Sequence, residues 1–265
     1  MRRISMLLIL AWLIAFASGC GGIASSSHYM TEVQKENGLV VILPGIEGES
    51  EFNHNIRRGL MRAGSHRAMP IYNWGRPIPG VGMLLNQVDV IGNRIAGGSI
   101  ARMIEQYQDS YPNRPVYLIG HSGGGGVAVF AAESLAAGRK IEGLVLLSAS
   151  IDGNYDLTKA LGHCKNGILN VYNPEDTGLL GVGTAVMGNV DGGHGPSAGL
   201  RGFSKRRSKL YQLQITGGMT AASGGGSHDA ATRPGFVASY VAPWVLSSAW
   251  PPDASLTNQN KWTYR

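Results

Sequence analysis

From residue 38 onward, short apolar runs alternate with stretches in which apolar side chains recur every three or four positions. Runs of the first kind are typical of buried strands, whereas the second spacing places apolar side chains on one face of a helix. The alternation predicts an α/β protein with a mostly parallel sheet, because parallel strands need a crossover helix between them. About six strands are predicted, over residues 38–43, 69–72, 115–119, 143–147, 167–172 and 209–215.

The helices of this pattern flank the predicted sheet. Phe52, Ile56 and Leu60 recur at helical spacing. Arg57 and Arg58 fall on the other side of that helix. A further helix has an apolar face over residues 100–107 and ends near residue 112, and others are predicted over residues 123–137 and near 235–247.

The first 20 residues have the pattern of an export signal. Two arginines precede an apolar run over residues 6–17, and small residues lead to Cys20. The run is too short for a transmembrane helix, which needs about 20 apolar residues. The segment resembles the lipobox of bacterial lipoproteins, in which the cysteine is lipidated and becomes the N-terminus. Because Gly21 is not the aspartate that retains similar lipoproteins at the inner membrane, we expect attachment to the outer membrane.

Composition and charge narrow the function classes. The chain of 265 residues is 43% hydrophobic and 15% charged, which is typical of a globular protein. Its net charge is +6, but the densest basic cluster, over residues 205–209, lacks the interleaved aromatic residues of a nucleic-acid binder. We therefore expect no nucleic-acid partner. With two cysteines in the chain and Cys20 lipidated, Cys164 has no disulfide partner.

One motif carries most of the chemical information. Gly120-His121-Ser122-Gly123-Gly124 matches the G-x-S-x-G pattern of a nucleophile elbow. Ser122 lies between a predicted strand and a predicted helix, so a tight turn lifts its hydroxyl clear of the sheet, and the helix N-terminus supplies N–H groups for an oxyanion. A second match centred on Ser197 lacks both neighbours, and we predict a loop serine there.

The segment around Ser122 resembles the elbow of the α/β-hydrolase superfamily, especially its esterases and lipases, over about residues 38–247. The resemblance implies the α/β-hydrolase fold and a serine, an acid and a histidine in that chain order. Of the seven histidines, His194 and His228 best fit that order, while His121, next to the serine, is expected to point elsewhere. His228 follows the last predicted strand, where the family has its base, and is therefore our candidate.

The acid that the resemblance implies has several candidates. The strand over residues 167–172 is followed by Glu175 and Asp176, and Asp176 lies at the distance from the strand end that similar hydrolases use. Some relatives carry the acid one strand earlier, which leaves Asp152 and Asp156 open. We prefer Asp176, and all four carboxylates also fit ordinary turns.

The resemblance also implies an oxyanion hole in the loop after the first strand. We assign its donors to the backbone N–H groups of Ile46 and Gly123. The implied reaction is a two-step acyl transfer in which Ser122 attacks an ester, with His228 as base and Asp176 orienting the imidazole. We expect no metal and no organic cofactor, because no cluster of residues has ligand spacing and no phosphate-binding fingerprint is present.

These interpretations divide the chain into a signal peptide over residues 1–19, a lipidated N-terminus and flexible tether over 20–37, and an α/β-hydrolase domain over 38–265. We expect the mature protein to be exported and anchored to a membrane of the bacterial cell envelope.

The expected substrate is a small-molecule or lipid ester. Residues 177–202 either cover an acyl pocket or form a loop with a purely structural role. Trp74 either lines that pocket or belongs to the core. A non-catalytic binding lipoprotein and a transacylase on envelope lipids remain alternatives, and the sequence leaves the oligomeric state open.

Overall fold

A parallel sheet of five strands forms the centre of the computed structural model, which describes residues 27–75, 82–176, 188–220 and 228–252. The strands lie in the order β1-β2-β3-β4-β5, so each pairs with its neighbour in the chain. This architecture confirms the predicted α/β class with a mostly parallel sheet. The strands are β1 Leu39–Leu43, β2 Val116–His121, β3 Ile141–Leu147, β4 Cys164–Tyr172 and β5 Leu210–Gln214.

The strand predicted over residues 69–72 does not form as a continuous element. The segment runs beside β1 and makes two isolated parallel bridges, Leu39 with Ala68 and Ile42 with Ile71. Ala68 N donates to Gly38 O and Tyr72 N donates to Ile42 O. Pro70 stands midway between those two donors and has no N–H group, so the ladder is interrupted there. The described sheet therefore has five strands where about six were expected.

Helices cover both faces of the sheet. Alternate residues of β1 point to opposite faces: Val41 and Leu43 pack in one apolar cluster, and Val40 and Ile42 pack in the other. The described helices are α1 Glu32–Glu36, α2 Glu51–Arg62, α3 Gly82–Val88, α4 Val90–Ser110, α5 Gly123–Glu133, α6 Thr158–Gly162, α7 Ala198–Arg201, α8 Gly217–Thr220, α9 Pro234–Phe236 and α10 Ala242–Leu246. Single 3₁₀ turns span Ser27–Tyr29 and Ala230–Thr232, and a π turn spans Val237–Val241.

Short polar side chains define where the two long helices begin. Ser50 precedes α2, and its backbone N donates to Asn53 Oδ1 over 2.9 Å. Asp89 precedes α4, and its Oδ1 accepts from Gly92 N over 2.9 Å. Such contacts satisfy N–H and side-chain groups that the first turn leaves without partners. α4 begins ten residues before Ile100, the first position of the apolar face that the sequence predicted.

The expected position of Arg57 was wrong. Its side chain is buried under α2 instead of standing on the far side of the helix. Its Nε donates to Met69 O over 3.0 Å, and its guanidinium lies 3.8 Å from the centre of the Tyr29 ring. A planar guanidinium stacks on an aromatic ring at modest desolvation cost, which a helical periodicity alone does not reveal.

Residues 27–37, assigned by sequence to a flexible tether, pack on the sheet in the structure. Met69 N donates to Tyr29 O over 2.9 Å, and Ala68 N donates to Gln34 O over 3.0 Å. The hydroxyl of Tyr107 donates to Lys35 O over 2.6 Å. Residues 27–37 thus belong to the folded domain, because backbone carbonyls of this segment accept hydrogen bonds from donors at the sheet edge and from α4.

Cys164 is buried at the start of β4, and burial raises the pKa of its thiol to about 12. The thiol is therefore protonated and unreactive in the folded state. Cys20 lies outside the described residues. None of the helices in the described ranges combines the length and the apolar character that crossing a bilayer requires. In the same ranges no group of three His, Cys, Asp or Glu side chains could hold a metal ion.

Candidate active site

Ser122 occupies a strained turn between β2 and α5. Its backbone has φ 51° and ψ −123°, a region that residues other than glycine rarely adopt. Three hydrogen bonds hold the turn: Ser122 N donates to Leu147 O over 3.0 Å, and Ser122 O accepts from Gly125 N and Ser150 N over 2.9 Å each. The strand-turn-helix context expected of a nucleophile elbow is therefore present around this serine.

The first turn of α5 packs directly against the loop that follows β1. A Cβ on Gly124 would lie 2.2 Å from Pro44 O and 2.5 Å from Leu43 O, so only glycine permits this approach. A Cβ on Gly123 would lie 3.4 Å from Ile46 N. The two backbone groups that the sequence analysis nominated as oxyanion donors, those of Ile46 and Gly123, are thus neighbours beside Ser122.

Two side chains hold the loop over residues 44–48 in position. The indole Nε1 of Trp74 donates to Pro44 O over 2.7 Å, and Asn86 Nδ2 donates to Ile46 O over 3.0 Å. Trp74 is buried, so it belongs to the core while supporting the loop. Asn86 was not singled out from the sequence, because an asparagine in a helix carries no pattern that predicts such a contact.

His228 and Asp176 are brought together although 52 positions separate them in the chain. The imidazole Nδ1 is hydrogen-bonded to Asp176 Oδ2. The side chain of Asp176 is 4% exposed and that of His228 is 13% exposed. Asn173 shapes the turn that carries the aspartate, since its carbonyl accepts from Asp176 N over 3.1 Å and its Oδ1 accepts from Glu175 N over 3.1 Å.

The other candidate carboxylates make contacts typical of turns. Asp152 accepts from Gly195 N and from Asn154 N, over 2.9 Å and 2.8 Å. Asp156 accepts from the backbone and the hydroxyl of Thr158. Glu175 is exposed. Among the described residues, the aspartate hydrogen-bonded to His228 is Asp176.

The alternative serine and histidine lie away from this arrangement. Ser197 is fully buried, and Ser197 N-caps the short helix α7 without a side-chain hydrogen bond to the helix. His194 is exposed on the loop before α7. A fully buried hydroxyl cannot contact a substrate unless the structure opens locally. Ser197 is therefore inaccessible to a substrate, whereas Ser122 is partly exposed.

The expectation that His121 points away from the site was wrong. Its ring centre lies 5.0 Å from that of His228 and 5.5 Å from that of Phe52, with the Phe52 and His121 rings in a T-shaped arrangement. The pKa of His121 is lowered to about 3, mainly by burial and also by the charge of His228, while a hydrogen bond with the backbone of His228 and the charge of Asp229 offset part of this lowering. His121 is therefore a neutral ring that supports the His228 imidazole beside Ser122.

The hydroxyl of Ser122 is not hydrogen-bonded to His228 in this arrangement. Among the hydrogen bonds of the described residues, the side chain of His228 has its bond to Asp176, and the Ser122 hydroxyl makes none. Contact with His121, the residue before the serine, is what locates His228 at the elbow.

Glu47 adds a carboxyl group that sequence analysis did not nominate. Its side chain is 24% exposed and turns toward His121, with Oε1 4.0 Å from Nδ1 of that ring. The hydroxyl of Ser50 donates to Glu47 Oε1 over 3.3 Å. Burial raises the pKa of Glu47, although hydrogen bonds from its own backbone N–H and from Ser50 and the charge of His228 lower it in part.

Solved structures with similar folds include lipases and esterases. Lipase B of Aspergillus fumigatus superimposes with a TM-score of 0.55 at 12% identity, over 88% of this chain and 58% of that protein. Est1E from Butyrivibrio proteoclasticus gives 0.49 at 14% identity, over 80% and 88%. A lipase-esterase related protein from Clostridium acetobutylicum gives 0.45 at 10% identity, over 76% and 91%. This chain thus spans little more than half the length of lipase B.

No family model matches the chain, and no curated protein matches it by sequence. The likeness to lipase B therefore establishes the fold and nothing finer, because identities near 12% leave function undetermined. The protein has the α/β-hydrolase fold, as the resemblance of its elbow implied.

The close approach at Gly124 generates a stability prediction. We expect Gly124→Ala to lower the free energy of unfolding by about 1–3 kcal/mol, because the new methyl group overlaps two carbonyl oxygens and must displace the loop after β1. Urea denaturation measures this change. The matched control is Gly98→Ala in α4, where the nearest atom to the new Cβ is Arg102 Nη1 at 3.8 Å. The control should be at least as stable as wild type, since alanine favours a helix interior by about 1 kcal/mol. Equal stabilities for the two variants would contradict the packing argument.

Proposed function

We propose that this protein is a serine hydrolase that cleaves carboxylic esters through an acyl-enzyme on Ser122. The observation that carries the proposal is the hydrogen bond between His228 and Asp176, formed beside an elbow whose backbone is strained at the serine. A buried carboxylate on Nδ1 leaves Nε2 of the imidazole as the proton acceptor, which is the arrangement that activates a serine hydroxyl.

The reaction follows from the neighbours of Ser122. Nε2 of His228 removes the hydroxyl proton as Oγ attacks the ester carbonyl, and Asp176 stabilises the imidazolium that forms. The N–H groups of Ile46 and Gly123 receive the oxyanion, and a donor of this kind contributes about 3 kcal/mol to transition-state stabilisation. His228 then protonates the leaving alcohol, and water releases the acid from Ser122. The bond between His228 and the serine needs to form only when substrate binds, because such contacts are often loose in free enzymes.

We further propose that the enzyme is exported and anchored to the cell envelope through a lipid on Cys20. The support comes from the sequence pattern of residues 1–20, which lie outside the described structure. The described residues begin at Ser27, and Tyr29 and Gln34 already contact the segment beside β1, so only a few residues of sequence separate Cys20 from the folded domain. That arrangement would hold the active site near the membrane surface, where lipid esters are found.

Removal of the nucleophile tests the proposed chemistry most directly. Ser122→Ala should lose covalent labelling by a fluorophosphonate and lose esterase activity, because the Ser122 hydroxyl is the proposed nucleophile and alanine has no hydroxyl group. Labelling on a gel and the circular dichroism spectrum are the measurements, and the spectrum should not change. Ser197→Ala is the matched control and should be labelled like wild type. The opposite pattern would move the nucleophile to Ser197.

The acid is tested by kinetics. Asp176→Asn should lower kcat on a short-chain p-nitrophenyl ester by about 10²- to 10⁴-fold with little change in KM, since the lost interaction stabilises the imidazolium of the transition state. Glu175→Gln and Asp152→Asn should stay within about tenfold of wild type, because their carboxylates do not reach the imidazole. A large loss in Asp152→Asn with a near-silent Asp176→Asn would refute the assignment.

The anchor is tested in a bacterial host. The wild-type chain should incorporate radiolabelled palmitate and partition into a detergent phase, whereas Cys20→Ser should do neither, because the thiol is the acceptor of the lipid. The buried Cys164 provides the control, as Cys164→Ala should be lipidated normally. Equal partitioning of wild type and Cys20→Ser would rule out the lipid anchor.

A further inference from the structure

Two consecutive amide side chains of α3, Asn86 and Gln87, contact the two segments that flank the proposed oxyanion donors. Both side chains are buried. Asn86 Nδ2 donates to Ile46 O over 3.0 Å. Gln87 Nε2 donates to Ser150 Oγ over 3.1 Å and to Gly188 O over 2.6 Å. One turn of helix thus joins the loop after β1 to the loop after β3.

The contact from Asn86 restrains the turn that presents the N–H group of Ile46. Gly48 N donates to Gly45 O over 3.1 Å, which closes a β-turn around Ile46 and Glu47. Because C=O and N–H of a trans peptide point in opposite directions, the bond to Gly45 O orients the N–H of Ile46. Asn86 holds the next peptide group by its oxygen, Ile46 O. The peptide groups on both sides of Ile46 are therefore restrained.

The contact from Gln87 reaches the peptide group that carries the N–H of Gly123. That peptide group also contains Ser122 O, which points in the opposite direction from the N–H. Ser122 O accepts from Ser150 N over 2.9 Å, so the position of Ser150 contributes to the direction of the Gly123 N–H. Gln87 in turn holds Ser150 by its hydroxyl group.

Neighbouring contacts hold Asn86 in place. Asn93 Nδ2 donates to Asn86 O over 3.0 Å and to Val190 O over 3.2 Å. A Cβ on Gly75 would lie 2.3 Å from Asn86 Nδ2, so the amide occupies space that a side chain at position 75 would fill. The backbone of Gly75 lies outside the left-handed region, and alanine there would chiefly displace the amide.

We propose that Asn86 and Gln87 are positioning residues of the oxyanion hole, and that together they set the distance between the N–H groups of Ile46 and Gly123. The inference rests on the proposed function, because both N–H groups act on the oxyanion of the acyl transfer. Asn86 acts through Ile46, and Gln87 acts through Ser150.

This role affects the transition state more than the bound substrate. Negative charge develops on the carbonyl oxygen only as Ser122 attacks, so donors placed for that charge contribute to kcat more than to KM. A misplacement of about 1 Å can lower the rate by about 100-fold. Loss of either amide should therefore lower kcat and leave KM near its wild-type value.

The test replaces each amide with an apolar side chain of similar size, in Asn86→Leu and Gln87→Met. Hydrolysis of a p-nitrophenyl ester is measured per serine that a fluorophosphonate titrates to completion, so that misfolded protein does not count. In both variants we expect kcat to fall about 10- to 100-fold, with KM within about twofold of wild type. The matched control is Asn170→Leu, whose buried amide donates to Ala198 O over 2.9 Å. Its kcat should stay within about threefold of wild type, because that bond does not reach the loop over residues 44–48.

A second measurement separates an oxyanion defect from other losses of activity. Sulfur is a weaker hydrogen-bond acceptor than oxygen, so a thionoester gains less from the two N–H donors than the oxygen ester does. The preference of the wild-type enzyme for the oxygen ester should fall in Asn86→Leu. It should persist in Asp176→Asn, which impairs the imidazole instead.

Gly75→Ala tests the same contact from the other side, since its methyl group displaces the Asn86 amide. We expect it to lower kcat in the wild-type chain and to change kcat by less than about twofold in Asn86→Ala, where no amide remains to be displaced.

Three results would each overturn the inference alone. The first is a kcat near wild type in a fully titratable Asn86→Leu or Gln87→Met, or an equal loss in Asn170→Leu. The second is an unchanged preference for the oxygen ester in Asn86→Leu, and the third is a pair of additive effects for Gly75→Ala and Asn86→Ala. A wild-type protein that forms no adduct on Ser122 would overturn the proposed function together with the inference.

Discussion

The strained turn at Ser122 is the constraint on which the site depends. Ser122 adopts φ 51° because hydrogen bonds with Leu147 of β3 and with Ser150, in the loop after β3, hold its peptide groups. The same turn aligns the start of α5 with the loop after β1, and glycine at position 124 lets the two backbones touch. The tight turn at Ser122 thus brings α5 into contact with the loop after β1, although the two are distant in the chain.

The parallel sheet explains why the remaining groups converge on this corner. The carboxyl ends of parallel strands lie at one edge of a sheet, where ligands of open α/β folds bind. The loop with Ile46 follows β1, Ser122 follows β2, Asp176 follows β4 and His228 comes after β5. The bond between His228 and Asp176 joins two of these loops across the edge.

Burial determines the charge state of the groups around the base. His121 remains neutral because its ring is enclosed, and the pKa of Glu47 is raised for the same reason. A neutral ring can support the His228 imidazole without repelling the positive charge that it acquires in the proposed reaction. The neighbouring residues His121 and Glu47 therefore act differently from Asp176, which stabilises that charge through its hydrogen bond to His228.

The sequence by itself determined the α/β class, most of the strands and the local context of Ser122, because hydrophobic periodicity and the glycine-flanked serine act over a few neighbouring residues. It also nominated His228 and Asp176, through chain order and a family resemblance. Only the tertiary structure decided that these two side chains meet, that Pro70 interrupts the edge ladder, and that Arg57 is buried. It alone brought His121 and Glu47 into the site, since contacts between residues far apart in the chain leave no local pattern.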